Sequence, residues 1–411
     1  MLLVDLIKQI PGVTQADFKL VKDSPLKGEE LAHVLTYIGE EDYYLEVHKE
    51  TGKPLRYFYF TKDTLDSDEK MVSYSEYVKR SLSNEETFKT RNFAAGPCPL
   101  PSDAVKRIQA AVQEGSILEM SHRSAEFEAI LNEAKTLFYQ LSGLSSEEYE
   151  VLFLQGGASL QFVMAPMNIK AFLRKDKIKG SYLVNGYWSR KAFEAGSQVC
   201  TCTTEVAEDS DFVHYVSNDT VEGVQLSPQT FPGKIVVCDA SSDILLVETP
   251  KADIIYAHSQ KVLGIAGVTV VAVKKTLLYH ASLLPDVLNY QTYAKADSIY
   301  NTPPIFSIFT VKEVLKSLGN RFLKEETSSK GGYLRSYLGA SEFYKVTGNS
   351  LVTVCFTCPR EEQLLTFLET RGIVGVKGHR SKGGLRISLY PWCSSADVAF
   401  LVSSLQQFEK F

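Results

Sequence analysis

Lys261 lies in IIYAHSQKVLGIAGVTVVAV, between two apolar runs and followed by small residues. An amine in such surroundings is paired, exposed or used covalently. Desolvation or a nearby cation would lower its pKa toward that of a working nucleophile. Asp239 directly follows the apolar run IVVC, which puts a carboxylate at the carboxyl end of a strand, the edge where open α/β sheets bind ligands. Gln155-Gly156-Gly157-Ala158-Ser159 separates VLFL from the helical pattern LQFVMAPMNI. Its small residues leave backbone N–H groups free at a helix start, where the dipole favours a phosphate. Trp188, after SYLVNGY, offers a flat aromatic wall. Singly, each has a plainer explanation: a surface lysine on a loop, an aspartate capping a turn, a tight turn without P-loop or GxGxxG spacing. Together they make an amine, an acid, a phosphate cradle and a plate, the set that pyridoxal 5′-phosphate requires.

The elements that must position these groups follow from the apolar pattern. From Asn92 onward the runs VLFLQ, SYLVN, IVVCD, IIYAH and VTVVAV alternate with loop or helix signals, the rhythm of an α/β domain with a mostly parallel sheet. Beyond about Val311 the pattern turns to VKEVLKSLG, LVTVCFT, EEQLLTFLETRG and LRISLY, which predicts a smaller α+β domain. The first ninety or so residues are rich in Lys, Glu and Tyr and lack strand-Gly-helix units. There LLVDLIKQI predicts a short amphipathic helix, AHVLTYI, YYLEVHK and LRYFYF an antiparallel meander turning at residues 50–54, and Tyr74 to Leu82 a closing helix. The polar stretch SNEETFKTRN is the expected linker. Three domains are therefore expected: 1–90, small and of unknown role; 91–320, large; and 321–411, small. No solenoid repeat or low-complexity tract is evident.

Composition narrows the function classes. With 411 residues, 44% hydrophobic and 23% charged, the chain is of ordinary globular type, and disordered or fibrous classes are excluded. Forty-four Lys plus Arg against 49 Asp plus Glu give a net charge of −5, which offers no attraction to nucleic acid or an anionic membrane. The longest near-apolar run, Val262 to Val273, falls short of the ~20 residues of a membrane span. MLLVDLIKQI has no basic leader or small-residue cleavage site and does not read as a signal peptide. Seven cysteines, an odd number at irregular spacings, read as free thiols, and a cytoplasmic protein is expected. Cys355 and Cys358 have CxxC spacing and Cys200 and Cys202 are close-set, which would suit a four-thiolate zinc site or a redox pair, but alternation in LVTVCFTC places both segments more naturally in strands, and no metal is expected. His33, His48, His214, His258 and His280 are expected to be structural, with His258 close enough to Lys261 to line the site.

NFAAGPCPLP, EMSHRSAEFEAI, VLFLQGGASLQFVMAPMNI, NGYWSRKA, NDTVEG, DASSDIL, SQKVLGIAGVTVV, YNTPPIFSI and GIVGVKGHRSKGGLRISLY, in this order from Asn92 to about Tyr390, resemble the phosphoserine aminotransferases, a family of fold-type-I pyridoxal-phosphate enzymes. The first ninety residues have no counterpart in that pattern. The resemblance implies that Lys261 is the Schiff-base lysine, that Asp239 pairs with the pyridine nitrogen, that Trp188 stacks on the ring and that Thr220 bonds its phenolic oxygen. It implies a phosphate held by Ala158, Ser159 and Gln260, and by Asn301 and Thr302 from a second subunit, so that the active sites of a homodimer are shared across its interface. Arg386 would take the substrate's α-carboxylate, while His122, Arg123, His379 and Arg380 would receive a phosphate or the glutamate side-chain carboxylate.

The implied activity is amino transfer between L-glutamate and 3-phosphohydroxypyruvate, giving O-phospho-L-serine and 2-oxoglutarate, without metal or nicotinamide. The chain departs from the family pattern at Val262, Ile265, Gly319-Asn320 and Tyr390-Pro391-Trp392, and the segment from Asn301 to Ser350 is shortened. These departures bear on substrate fit more than on cofactor binding. Two alternatives stay open on sequence: a related fold-type-I aminotransferase acting on 4-phosphohydroxythreonine or an unphosphorylated amino acid, and a non-catalytic cofactor-fold protein whose N-terminal domain binds a partner.

Overall fold

The structure is a computed structural model describing residues 18–21, 31–38, 41–48 and 54–61 as strand backbone, and residues 90–279, 284–319 and 323–410 in full. The expected helices at LLVDLIKQI and Tyr74 to Leu82, the turn at 50–53 and most of the linker lie outside the described residues. Two compact units result: Met1–Arg91 with Glu362–Val374 and Phe400–Phe411, and Asn92–Glu361 with Gly375–Ala399. In the first, β1 (Phe18–Val21), β2 (Leu31–Ile38), β3 (Glu41–His48) and β4 (Pro54–Thr61) form an antiparallel sheet in chain order. Within the same unit the Arg91 guanidinium lies 4.1 Å from the Phe400 ring, and Phe367 packs on Phe408.

The second unit is built on a seven-stranded sheet. Its strands are β5 (Tyr149–Gln155), β6 (Lys179–Tyr182), β7 (Thr201–Thr203), β8 (Phe212–Val216), β9 (Ile235–Asp239), β10 (Ile254–His258) and β11 (Val268–Lys274), in the order β5-β11-β10-β9-β8-β6-β7. Only β11 runs against its neighbours, so the sheet is mostly parallel and the carboxyl ends of the other six strands open on one edge. Successive side chains of a strand point to opposite faces, and here both faces are covered. Val151 and Phe153 of β5, Ile255 and Ala257 of β10, and Val236 and Cys238 of β9 enter one apolar cluster. Leu152, Leu154, Ile254, Tyr256 and Val237 enter the other. That two-sided burial is why these strands are continuous apolar runs rather than alternating ones.

The first cluster is closed by the helices Ala125–Ser142 and Ile305–Leu318, the second by Ala158–Leu173 and Tyr187–Gly196. Two strands were not legible as such. FVHYV of β8 is fully buried but interrupted by His214, which is neutralised by burial and bonded to the Tyr256 hydroxyl at 2.7 Å. The edge strand β7 has only three residues. In SYLVN the strand ends at Tyr182, and the rest turns into the next loop. A smaller antiparallel sheet, β12 (Lys345–Thr347), β13 (Thr353–Thr357) and β14 (Leu385–Ser388), places Arg386 opposite Cys355.

Candidate active site

Five of the parallel-running strands deliver a chemical group to the shared edge. Asp239 is the last residue of β9, and Lys261 lies three residues beyond the end of β10. Asp219 and Thr220 follow β8, Trp188 opens the helix after β6, and Gly156 to Ser159 join β5 to its helix. The lysine therefore reaches the centre of the edge with an acid on the neighbouring strand.

Lys261 Nζ stands 5.6 Å from the centre of the Trp188 ring. Burial, reinforced by the Arg386 guanidinium, lowers its pKa below the usual lysine range, against the pull of Asp239, Asp219 and Asp243. The backbone at Lys261 is held by Cys98, whose thiol donates to the Lys261 carbonyl and whose N–H donates to the Gln260 carbonyl at 3.2 Å. Gly96, at φ +146°, lies against the lysine stem: a Cβ there would meet Lys261 Cγ at 3.3 Å.

Asp239 is buried, and burial raises its pKa, partly offset by the Ser241 side chain, by Lys261 and by the Ser241 N–H, which donates to Oδ1 at 2.9 Å. Among the described residues the carboxylate accepts only from Ser241, which leaves it acceptor capacity for a cationic ring nitrogen. Four residues on, Asp243 is also buried, accepting from Ser217 Oγ and from Gln225 Nε2 at 3.4 Å, and burial pushes its pKa up to about 7. Asp219, fully buried, accepts the Trp188 N–H at 2.7 Å on one oxygen and those of Val221 and Glu222 at 2.8 and 3.0 Å on the other. Gly186 exists to admit it, since a Cβ there would lie 2.4 Å from Asp219 Cγ. Arg386 donates through Nη1 to the Thr220 carbonyl at 2.9 Å, and its Nε, like Trp188 Nε1, is buried without a partner among the described residues.

Residues 194–401 match the model of the class-V aminotransferase family. A phosphoserine aminotransferase of Bacillus cereus is 36% identical across 77% of this chain and 98% of its own length, and that of Bacillus subtilis is 37% identical across 78% and 99%. The chain belongs to the phosphoserine aminotransferase family. The solved phosphoserine aminotransferase of Bacillus circulans subsp. alkalophilus superposes with a TM-score of 0.72 at 34% identity, covering 78% of this chain and 99% of that one. Another, titled for radiation damage of its Schiff base, gives 0.73 at 33% identity over 78% and 99%. The fold is thus that of the fold-type-I pyridoxal-phosphate aminotransferases, as the motifs imply, and the chain is a pyridoxal-phosphate-dependent aminotransferase.

As a phosphoserine aminotransferase site, the described residues fit the cofactor on their own chemistry. Asp239 faces the lysine with a carboxylate, and among the described residues Trp188 Nε1 and Arg386 Nε are buried without a hydrogen-bond partner. Such buried polar atoms call for a polar ligand. Ala158 and Ser159 are the first residues of a 16-residue helix after Gly157, with N–H groups that helix geometry leaves unbonded.

Of the other predicted residues, some converge on this group and some do not. The His379 ring lies 4.9 Å from that of Tyr187, the neighbour of Trp188, and Lys382 pairs with Glu222, so the KGHRS loop meets the site. Arg380 is exposed on that loop, and His379 Nδ1 meets Ser381 Oγ at 2.6 Å. Asn301 Oδ1 accepts from Gln155 Nε2 at 3.2 Å, and the Thr302 carbonyl accepts from the same amide, which sets both beside the phosphate turn. His122 and Arg123 lie in the turn before Ser124, the N-cap of Ala125–Ser142, and make no side-chain hydrogen bond or ion pair within the described residues. His258 is half-buried, and burial together with Lys261 lowers its pKa. Sequence reasoning missed Asp219, Gly186, Gly96 and Tyr187. The Asx-turn potential of Asp219, which bonds the backbone two residues on, was the one available signal. Among the described residues no group of three or more metal-ligating side chains converges, and no helix is long and apolar enough to cross a membrane.

Proposed function

We propose that Lys261 carries pyridoxal 5′-phosphate and that the chain moves the amino group of L-glutamate onto 3-phosphohydroxypyruvate, giving 2-oxoglutarate and O-phospho-L-serine. The observation that carries this reading is the lysine amine, lowered in pKa by burial, between the Trp188 face and the Asp239 carboxylate at one sheet edge. When bound, the cofactor supplies an electron sink that acidifies the substrate's Cα–H. Asp239 would hold the ring nitrogen protonated, a contact that would favour its ionised form against the burial that raises its pKa. Ala158, Ser159 and Gln260 would hold the phosphate, Thr220 the phenolic oxygen, and Trp188 would stack on the ring. Lys261 Nζ would take the proton from the substrate's Cα and return it, a role that a lowered pKa suits.

Arg386 binds the α-carboxylate shared by both amino acids, held in place by its bond to the Thr220 carbonyl. His379 and Arg380, with His122 and Arg123, receive the phosphate or the side-chain carboxylate. Asn301 and Thr302 serve the site of a second subunit, making the active unit a homodimer. Residues 1–90 are a separate small domain, 91–320 and 321–411 the two parts of the catalytic fold, and an odd number of cysteines at irregular spacings accords with the cytoplasm. The test is turnover of glutamate with 3-phosphohydroxypyruvate against hydroxypyruvate as acceptor. Preference for the phosphorylated acceptor supports the reading, and equal or better use of hydroxypyruvate overturns the substrate assignment while leaving the transaminase intact.

A further inference from the structure

Far along the sheet from Lys261, the edge strand β7 begins with a pair of thiols. Cys200 immediately precedes the strand and Cys202 is its second residue, paired across to Gly180 of β6. Residues two apart on an extended chain face the same way, and the two sulfurs stand 3.3 Å apart. Both are half-buried, unlike Cys98, Cys238, Cys355 and Cys393, which are buried. The Cys200 thiol has two acceptors in reach, the Cys202 sulfur and the Gly196 carbonyl at 3.2 Å. When it donates to Cys202 it stabilises a thiolate there, and this bond is the main cause lowering the Cys202 pKa and raising that of Cys200. One member of the pair is therefore set up as attacking sulfur and the other as its resolving thiol.

We propose that Cys200 and Cys202 form a site of reversible oxidation by hydroperoxides. The Cys202 thiolate attacks the peroxide oxygen and breaks the O–O bond, becoming a sulfenic acid while the peroxide leaves as alkoxide or hydroxide, which takes a proton. The Cys200 thiol then attacks the oxidised sulfur and the sulfenic oxygen leaves as water. Two thiols and one hydroperoxide thus give one disulfide, one alcohol or water from the peroxide, and one water; each sulfur is oxidised by one electron and the peroxide is reduced by two. The site serves no step of the amino transfer and stands or falls apart from it.

The chain lends itself to a direct test, because residues 192–234, between Lys191 and Lys234, contain both of these cysteines and no other. The full-length protein is exposed to hydrogen peroxide, quenched in acid, alkylated after denaturation and digested with trypsin. The expected product is the 192–234 peptide lighter by two hydrogens, unalkylated, and restored by dithiothreitol. It should form at least about tenfold faster than Cys358, the other half-buried thiol, is lost, since the Cys202 thiol is lowered in pKa and that of Cys358 is raised by burial. Cys202→Ser should leave Cys200 alkylatable after the same exposure, and should the variant not fold, reversal in the unmodified chain still decides. Full alkylation of both thiols, added oxygen without loss of two hydrogens, or oxidation no faster than at Cys358 overturns the proposal.

Discussion

Replacing Asp219 by alanine removes the one acceptor shared by three backbone donors. The carboxylate is fully buried, and its bonds to the N–H groups of Trp188, Val221 and Glu222 measure 2.7, 2.8 and 3.0 Å. Hydrogen bonds to a charged group contribute ~1.5–3 kcal/mol each, and a buried donor left unsatisfied costs a similar amount. Even the low end of that range puts the loss near ~4 kcal/mol. Asp219→Asn should lose less, ~1.5–3 kcal/mol, because its amide oxygen can keep the Val221 and Glu222 bonds while its NH₂ group faces the Trp188 N–H donor to donor. The assay is urea unfolding followed by circular dichroism, with cofactor affinity measured in parallel, since the same carboxylate sets the backbone of Trp188 and the turn bearing Thr220. A loss under ~1 kcal/mol with unchanged cofactor affinity for Asp219→Ala would refute the assignment of this side chain as the anchor of both loops.

Lys261→Ala should give no borohydride-trapped adduct at position 261 and a turnover reduced by at least ~10²-fold, the usual worth of a positioned acid–base group; retained absorbance and turnover would contradict its role. Arg386→Ala should raise KM for both amino-acid substrates, by ~10-fold or more for a lost charge-assisted contact of ~1.5–3 kcal/mol, and loss confined to one substrate would argue against a shared carboxylate site. Asp243 supplies a pH dependence of stability. Burial holds its folded pKa at about 7 against 3.8 for the free carboxyl, so between those values the folded chain keeps a proton that the unfolded chain has released. Stability should therefore fall as pH rises from ~4 to ~7, by as much as ~4 kcal/mol, and Asp243→Asn should flatten the slope. Unfolding midpoints across that range check the sign, and an identical profile in the variant would sink the assignment.

The parts of the molecule that were legible in the sequence are those whose physics is local. IVVCD and IIYAH coincide with β9 and β10 because a strand buried on both faces must be apolar at every position. Lys261 and Asp239 could be picked out because a charge at the end of such a run is costly unless it is used. His214 broke the pattern of β8, and its polar ring is acceptable only because Tyr256, two strands away, supplies a hydroxyl. Asp219 was hidden for the same kind of reason: its partner Trp188 lies 31 positions earlier, on the loop of another strand. The KGHRS motif marked its residues, but only folding brings His379 against Tyr187.

The bond from the Trp188 N–H to Asp219, with Gly186 leaving room for the carboxylate, fixes the main chain from which the indole springs, while the ring itself packs against the second apolar cluster and Tyr187. The point on the sheet edge from which the stacking side chain starts is thus set by the main chain, whichever ring it carries. Phenylalanine or tyrosine at 188 inherits the same scaffold, so the breadth and electron richness of that surface can drift over evolutionary time while the catalytic frame around it stays put.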